Sequence, residues 1–397
     1  MKVGIITMHK VMNFGSALQA FATQRVIESL GHDAKLIDYQ YPNDFQIANG
    51  IPMPLRPMPE SIYYDSKKNN FKPWYRPNLV RLMQIIYWYT KSYFSKNMMG
   101  VQQIVCYNKF YHKYFNTTRK YYNYKDLKID VPEFDAYVTG SDQVWNSRFT
   151  KGDLNFFLGF LGDRKKLRVA YSASFGHVSL ETVNLSEVTP LLKKYDYISV
   201  REQNGANLIK EIIEKDCPVT LDPTLLLNKR EWQSFSEKIP IDEDYILLYC
   251  LDYAFDPSPT IYQAAEYYRK KFGYKVVCID KKPDDNYLKD YYIIYNTSPL
   301  LMLSYFSNAS MVITSSFHGT AFAVNFGKPL IAVVPSSKDD DRQRSLLEKL
   351  NLNGCIASVD TKIEELNPFY NFNTEQDDLE KLRQDSITYL KTSLCYA

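Results

Sequence analysis

At 397 residues the chain is too long for one ordinary hydrophobic core, so two domains are expected. A content of 45% hydrophobic and 23% charged residues excludes a disordered or fibrous protein. The formal net charge is +3, yet 66–125 carries twelve Lys or Arg and no Asp or Glu, leaving about −9 for the remainder and calling for an anionic partner.

In chain order, Met1-Lys2-Val3-Gly4-Ile5-Ile6 runs at once into polar Thr7, His9 and Lys10, so no signal-peptide core is present and a cytoplasmic protein is expected. A strand at 3–7, a helix at about 17–30 closed by Gly31, and a strand at 34–38 make a βαβ opening. A basic, aromatic helical insertion follows over about 42–130. Within it Leu79, Leu82, Met83, Ile86, Thr90 and Tyr93 recur at helical spacing beside Trp88 and Tyr89. Arg81 and Lys91 break the apolar stretch, which excludes a transmembrane span. Two readings of this amphipathic helix stand side by side: it lies on an anionic membrane surface, or it packs on the protein with its lysines solvated. No recognition motif accompanies the charge, so nucleic acid is not expected.

Further strands at 136–139, 169–172, 198–200 and 219–221 complete a parallel-sheet domain reaching about residue 228. Residues 229–244 read as a linker with its packing helix. A second α/β series occupies 245–374, with strands at 245–250, 275–280, 291–295, 311–314, 330–334 and 355–359 and helices at 259–272, 300–308 and 345–350. A last helix from 375 to about 394 is placed to cross back to the first domain. The six cysteines form no C-x-x-C pair and the five histidines no H-x-x-x-H pattern, so reduced thiols and no metal site are expected.

Three segments carry polar groups to the ends of strands. Asn13-Phe14-Gly15-Ser16-Ala17-Leu18-Gln19-Ala20 turns the first strand into its helix, where Gly15 lets a ligand approach the backbone and the helix N-terminus offers free N–H groups. Gly140-Ser141-Asp142-Gln143-Val144-Trp145-Asn146 sets Ser141, Asp142 and Gln143 at the carboxyl end of a strand, where open α/β sheets bind ligands; the alternative is that these three cap the next helix. Thr314-Ser315-Ser316-Phe317-His318-Gly319-Thr320 ends a strand in hydroxyls and a histidine at a helix start.

With Tyr171-Ser172-Ala173-Ser174-Phe175-Gly176, Ser199-Val200-Arg201-Glu202 and Leu221-Asp222-Pro223-Thr224, these segments resemble the polysaccharide pyruvyl transferase family over nearly the whole chain; the basic insertion is the least matched part. The resemblance implies two Rossmann-like α/β domains in a glycosyltransferase-B-like arrangement, with the basic helical insertion in the first. It implies phosphoenolpyruvate as donor, a sugar or lipid-linked oligosaccharide as acceptor, a pyruvate ketal in a cell-surface polysaccharide as product, and no metal or other cofactor. On it His318 is the catalytic histidine and Arg201 the catalytic, donor-binding arginine. Lys328, Ser316, Gly319, Thr320 and Arg342 are donor-binding candidates, with Arg344 competing for the place of Arg342. Asn13, Gly15, Ser16, Ser141, Asp142 and Gln143 line the acceptor side or cleft. Arg201 from the first domain and His318 from the second would let domain closure assemble the site. An ion pair with Glu202 or another carboxylate is the other reading of Arg201, and an exposed turn that of Lys328. A nucleotide-sugar glycosyltransferase of the same architecture and a non-catalytic, membrane-associated scaffold in polysaccharide assembly are the alternative functions.

Overall fold

A computed structural model describes residues 1–39, 64–65, 70–71, 99–121, 124–150, 152–176, 180, 183–252, 254–279, 291–295, 297–337, 341–358 and 361–395. The expected amphipathic helix at 79–93 lies outside the described residues. Contacts divide the chain into two compact units. The first holds Met1–Arg201, Gly205–Pro218 and Leu390–Ala397; the second holds Glu202–Asn204 and Val219–Tyr389.

The first unit opens with β1 (Lys2–Ile6), α1 (Phe14–Ser29) and β2 (Asp33–Tyr39). A short antiparallel hairpin of β3 (Tyr64–Asp65) and β4 (Asn70–Phe71) precedes α2 (Met99–Tyr114), β5 (Thr117–Tyr121) and α3 (Tyr124–Ile129). Then come β6 (Ala136–Thr139), α4 (Ser147–Thr150), β7 (Leu167–Ala173), α5 (Leu185–Leu192), β8 (Tyr197–Val200) and α6 (Gln203–Ile213). The six-stranded sheet runs β5-β2-β1-β6-β7-β8, all parallel. A parallel sheet covered on both faces needs strands that are apolar throughout rather than alternating, and Val3, Ile5, Ile6, Ala136 and Val138 are each fully buried. The edge strand β5 escapes a reading of apolar runs, because its sequence Thr-Thr-Arg-Lys-Tyr keeps only Tyr121 buried.

Helix α7 (Lys229–Gln233) opens the main run of the second unit. It is followed by β9 (Tyr245–Tyr249), α8 (Thr260–Phe272), β10 (Lys275–Ile279) and β11 (Tyr291–Ile294). Next come α9 (Pro299–Asn308), β12 (Met311–Thr314), α10 (Phe317–Phe326), β13 (Leu330–Val333), α11 (Arg342–Lys349), β14 (Ile356–Ala357) and α12 (Phe372–Leu394). The sheet is again parallel and six-stranded, ordered β11-β10-β9-β12-β13-β14. Counted within each unit, both sheets follow the Rossmann order 3-2-1-4-5-6, whose reversal points fall between β1 and β6 and between β9 and β12.

One expected strand is missing, and the packing helix expected in the linker is present. Residues 219–221 form no strand beyond an isolated bridge at Val219, because the Leu221 N–H bonds the Ser386 hydroxyl of α12. The expected linker begins as a capped helix: Asn228 and Glu231 form a reciprocal capping box, and Trp232 is fully buried, edge-on to Phe322 at 5.4 Å. Residues 219–228 accordingly belong with the second unit.

Candidate active site

Each unit gathers a polar cluster at its reversal point. In the first, Asn13 caps α1, its Oδ1 accepting from the Ser16 N–H at 3.2 Å. The Ser16 hydroxyl donates to Asp142 Oδ2 at 2.5 Å, while Asp142 Oδ1 accepts from the Gln143 N–H at 2.9 Å and lies 3.7 Å from Arg201 Nη1. Gly15 is buried in the first turn of α1, and Asp142 and Arg201 are each 4% exposed. A buried guanidinium is tolerable only with a carboxylate and hydrogen bonds around it, and Asp142 supplies the charge.

The strand-to-loop turn behind this cluster depends on Gly140, at φ +103, where a Cβ would stand 2.3 Å from the Tyr171 carbonyl oxygen. Asp142 itself takes φ +69. Ser141 is absorbed by the scaffold, donating to the Ser172 carbonyl and accepting from Thr7 through its own carbonyl. Gln143 accepts from the Asn146 amide at 2.8 Å, and Asn146 Oδ1 accepts from the Arg148 N–H. Capping of α4 thus falls to Asn146, and Asp142 is left to orient Arg201 and Ser16.

The same sheet edge carries a group the sequence reading left unassigned. His9 is buried with Nδ1 3.1 Å from the Thr7 carbonyl and Nε2 3.5 Å from Asp38 Oδ1, and Lys10 Nζ meets Asp38 Oδ2 at 2.5 Å. Burial alone would raise the Asp38 pKa, but His9 and Lys10 outweigh it and hold the carboxylate well below its ordinary range.

In the second unit α10 begins where β12 ends. The Ser316 hydroxyl caps it by accepting from the Gly319 N–H at 3.3 Å, and the Thr320 hydroxyl donates back to the Ser316 carbonyl at 3.1 Å. Gly319 permits the close approach, because a Cβ there would lie 2.4 Å from Thr314 Oγ1. Ser316, Gly319 and Thr320 therefore build the turn. What the turn presents is His318, 7% exposed, with a helix N-terminus around it.

His318 Nε2 stands 3.6 Å from Asp222 Oδ2 and makes no hydrogen bond. Asp222 Oδ1 accepts from both the N–H and the hydroxyl of Thr224, at 3.0 and 2.7 Å, so the carboxylate's second oxygen is turned to the imidazole. The sequence reading quoted Asp222 without giving it a role. Its signal was Asp-Pro-Thr, an acid poised to cap its own turn, but the 96 positions separating it from His318 hid the pairing.

Arg342, 7% exposed, opens α11, and the neighbouring Gln343 amide donates to the Thr320 hydroxyl at 2.9 Å, so Arg342 sits one residue from a contact with the first turn of α10. Arg344 is directed to the Pro335 carbonyl, at 3.2 Å. Lys328 is not brought to His318. It follows Gly327, the C-cap of α10, and the helix rise separates the two residues by about 15 Å, at opposite ends of the strands. Burial, then the nearby charge of Lys229, lowers its pKa to about 8. Among the described residues no group of three or more His, Cys, Asp or Glu is placed to hold a metal ion, and no helix is long and apolar enough to cross a membrane.

Two Rossmann-like units, each with a charged cluster at its reversal point, define a two-domain α/β protein. The chain belongs to the polysaccharide pyruvyl transferase family, whose sequence model matches residues 13–337. No curated protein matches it. Among solved structures it is similar to UDP-N-acetylglucosamine 2-epimerase from Rickettsia bellii, at 9% identity and TM-score 0.49 over 99% of this chain and 96% of that one. It is also similar to UDP-GlcNAc 2-epimerase from Methanocaldococcus jannaschii, at 14% and 0.46 over 96% and 99%. A mutant O-GlcNAc transferase from Thermobaculum terrenum gives 10% and 0.42 over 100% and 64%.

Proposed function

We propose that this protein transfers the pyruvyl group of phosphoenolpyruvate to two hydroxyls of a sugar in a polysaccharide precursor, with release of phosphate. The observation that carries the reading is the His318–Asp222 pair: an imidazole nitrogen with no hydrogen bond, backed by an oriented carboxylate, at the start of a helix. Phosphoenolpyruvate offers a carboxylate and a phosphate, groups that a planar guanidinium such as that of Arg342 and the N–H groups at the start of α10 are suited to hold; Arg201 is the donor-binding arginine that the family resemblance implies.

The reaction asks for one acid/base at several moments. His318 gives a proton to the methylene carbon, turning the enol C=C into a methyl and an oxocarbenium-like carbon. A sugar hydroxyl bonds to that carbon and returns a proton to His318. The C–O bond to phosphate then breaks, the second hydroxyl attacks, and its proton leaves with the phosphate. Asp222 stabilises the imidazolium whenever His318 is charged. The acceptor is a lipid-linked or free oligosaccharide, met at the cytoplasmic face of an anionic membrane.

The test is calorimetric titration of the full chain with phosphoenolpyruvate and, separately, with uridine diphosphate sugars, repeated on Arg201→Ala. Binding of phosphoenolpyruvate that Arg201→Ala abolishes supports the reading. Saturable binding of a nucleotide sugar with no response to phosphoenolpyruvate overturns it in favour of glycosyl transfer.

A further inference from the structure

We infer that Asn325 is a positioning residue that sets the geometry of the His318–Asp222 pair. It lies on the same helix as His318, seven residues on, which is two turns or about 10 Å along nearly the same face. His318 faces Asp222, and Asn325 holds the chain just after it. The Asn325 amide nitrogen donates to the carbonyls of Thr224 at 3.0 Å and Leu227 at 2.8 Å. One helix thus carries both the imidazole and the clamp that places its carboxylate.

The orientation of that amide is imposed by Arg383 on α12, whose guanidinium donates to Asn325 Oδ1 at 3.2 Å and to the Leu225 carbonyl at 2.7 Å. With its oxygen so engaged, the Asn325 nitrogen has to face the two carbonyls. Trp232 adds an indole N–H to the Thr224 carbonyl at 2.8 Å, and the Ser386 hydroxyl accepts from the Leu221 N–H at 3.0 Å. Asn325, Trp232 and Thr224 are at most 1% exposed, where a carbonyl without a donor is costly, so the segment has no cheap alternative placement. Since Thr224 is also the residue that fixes Asp222 Oδ1, a shift of its backbone moves the carboxylate relative to His318.

This inference rests on the proposed role of the pair, and its test is independent of the reaction. In the full chain with ¹⁵N-labelled histidine, the His318 ring-nitrogen resonances, assigned with His318→Gln, are compared among variants. Asn325→Asp keeps the shape and the acceptor for Arg383 but removes both donors; it and Asn325→Ala are expected to move the His318 resonances in the direction produced by Asp222→Asn. Phe326→Leu, which loses packing on the same helix, is expected to leave them in place while lowering the melting temperature. Turnover by the Asn325 variants is expected to fall about 10- to 100-fold, with donor affinity within about twofold of the parent. His318 resonances unmoved in folded Asn325 variants overturn the inference. If those variants do not fold, Arg383→Lys, which releases the amide orientation together with the Leu225 carbonyl, decides in the same way. Moved resonances in a protein that does not use phosphoenolpyruvate would leave this inference standing and the functional reading lost.

Discussion

Asp222 Oδ2 faces His318 Nε2 at 3.6 Å while its other oxygen is held by Thr224, so one carboxylate joins a structural turn to a titratable ring. His318→Ala is expected to lower turnover by about 10²- to 10⁴-fold, the usual worth of a positioned acid/base, with phosphoenolpyruvate still bound. Asp222→Asn should reduce it less, because the imidazole stays in place and loses only its counter-charge. Phosphate release at saturating donor measures both. Full turnover by His318→Ala would show that the reaction does not need this imidazole.

Arg201 and Asp142 make a buried pair in the first unit, and Ser16 holds the far oxygen of the carboxylate. Arg201→Lys keeps the charge but loses the planar fork. Donor affinity is expected to fall about 10- to 100-fold, the loss of one or two charge-assisted hydrogen bonds, read by calorimetry. Ser16→Ala should cost less, since the guanidinium remains.

Lys328 supplies a pH test. Its folded-state pKa of about 8 lies below the ordinary lysine value, so the charged side chain is a burden on the folded state at low and neutral pH. Between about pH 8 and 10.5 the unfolded chain binds more protons at this site than the folded one, so its contribution to stability rises with pH over that window. Lys328→Met should raise the melting temperature at pH 7, and the gain should shrink to nothing by about pH 10.5. Phosphoenolpyruvate affinity should be unchanged, because Lys328 stands at the far end of α10 from His318.

Gly319 is set by close approach. Gly319→Ala brings a methyl group onto Thr314 Oγ1, and a destabilisation of about 1–3 kcal/mol is expected from overpacking. Adding Thr314→Ala removes the obstructing hydroxyl and methyl, so the double variant should lose less than the sum of the two single ones in chemical denaturation.

The apolar runs of the two sheets were legible because a parallel strand buried on both faces must be apolar at nearly every position: Val3 to Ile6, Ile246 to Leu248 and Met311 to Ile313 mark themselves. The same logic failed at β5, whose polar edge residues satisfy only one neighbour, and at 219–221, an apolar run whose Leu221 N–H is taken by a serine on α12. The placement of His318, Arg201 and the Asn13 to Ser16 turn at strand ends was legible because a strand that ends in a polar cluster before a helix is a local pattern. Lys328, which the resemblance set near the donor, stands at the far end of α10 from His318, because a helix of ten residues carries its two ends to opposite ends of the strands.

By itself, then, the order of residues determined the two parallel sheets, the family, and which strand ends hold charged groups, since these follow from periodicity and short motifs. Only the tertiary structure decided which of those groups meet: Asp222 with His318, Asp142 with Arg201 and Ser16, and Asn325 and Arg383 on the carbonyls behind Asp222. Contacts between residues nearly 60 to more than 150 positions apart depend on how strands order themselves and how helices pack across them. That ordering is a property of the whole core rather than of any local stretch.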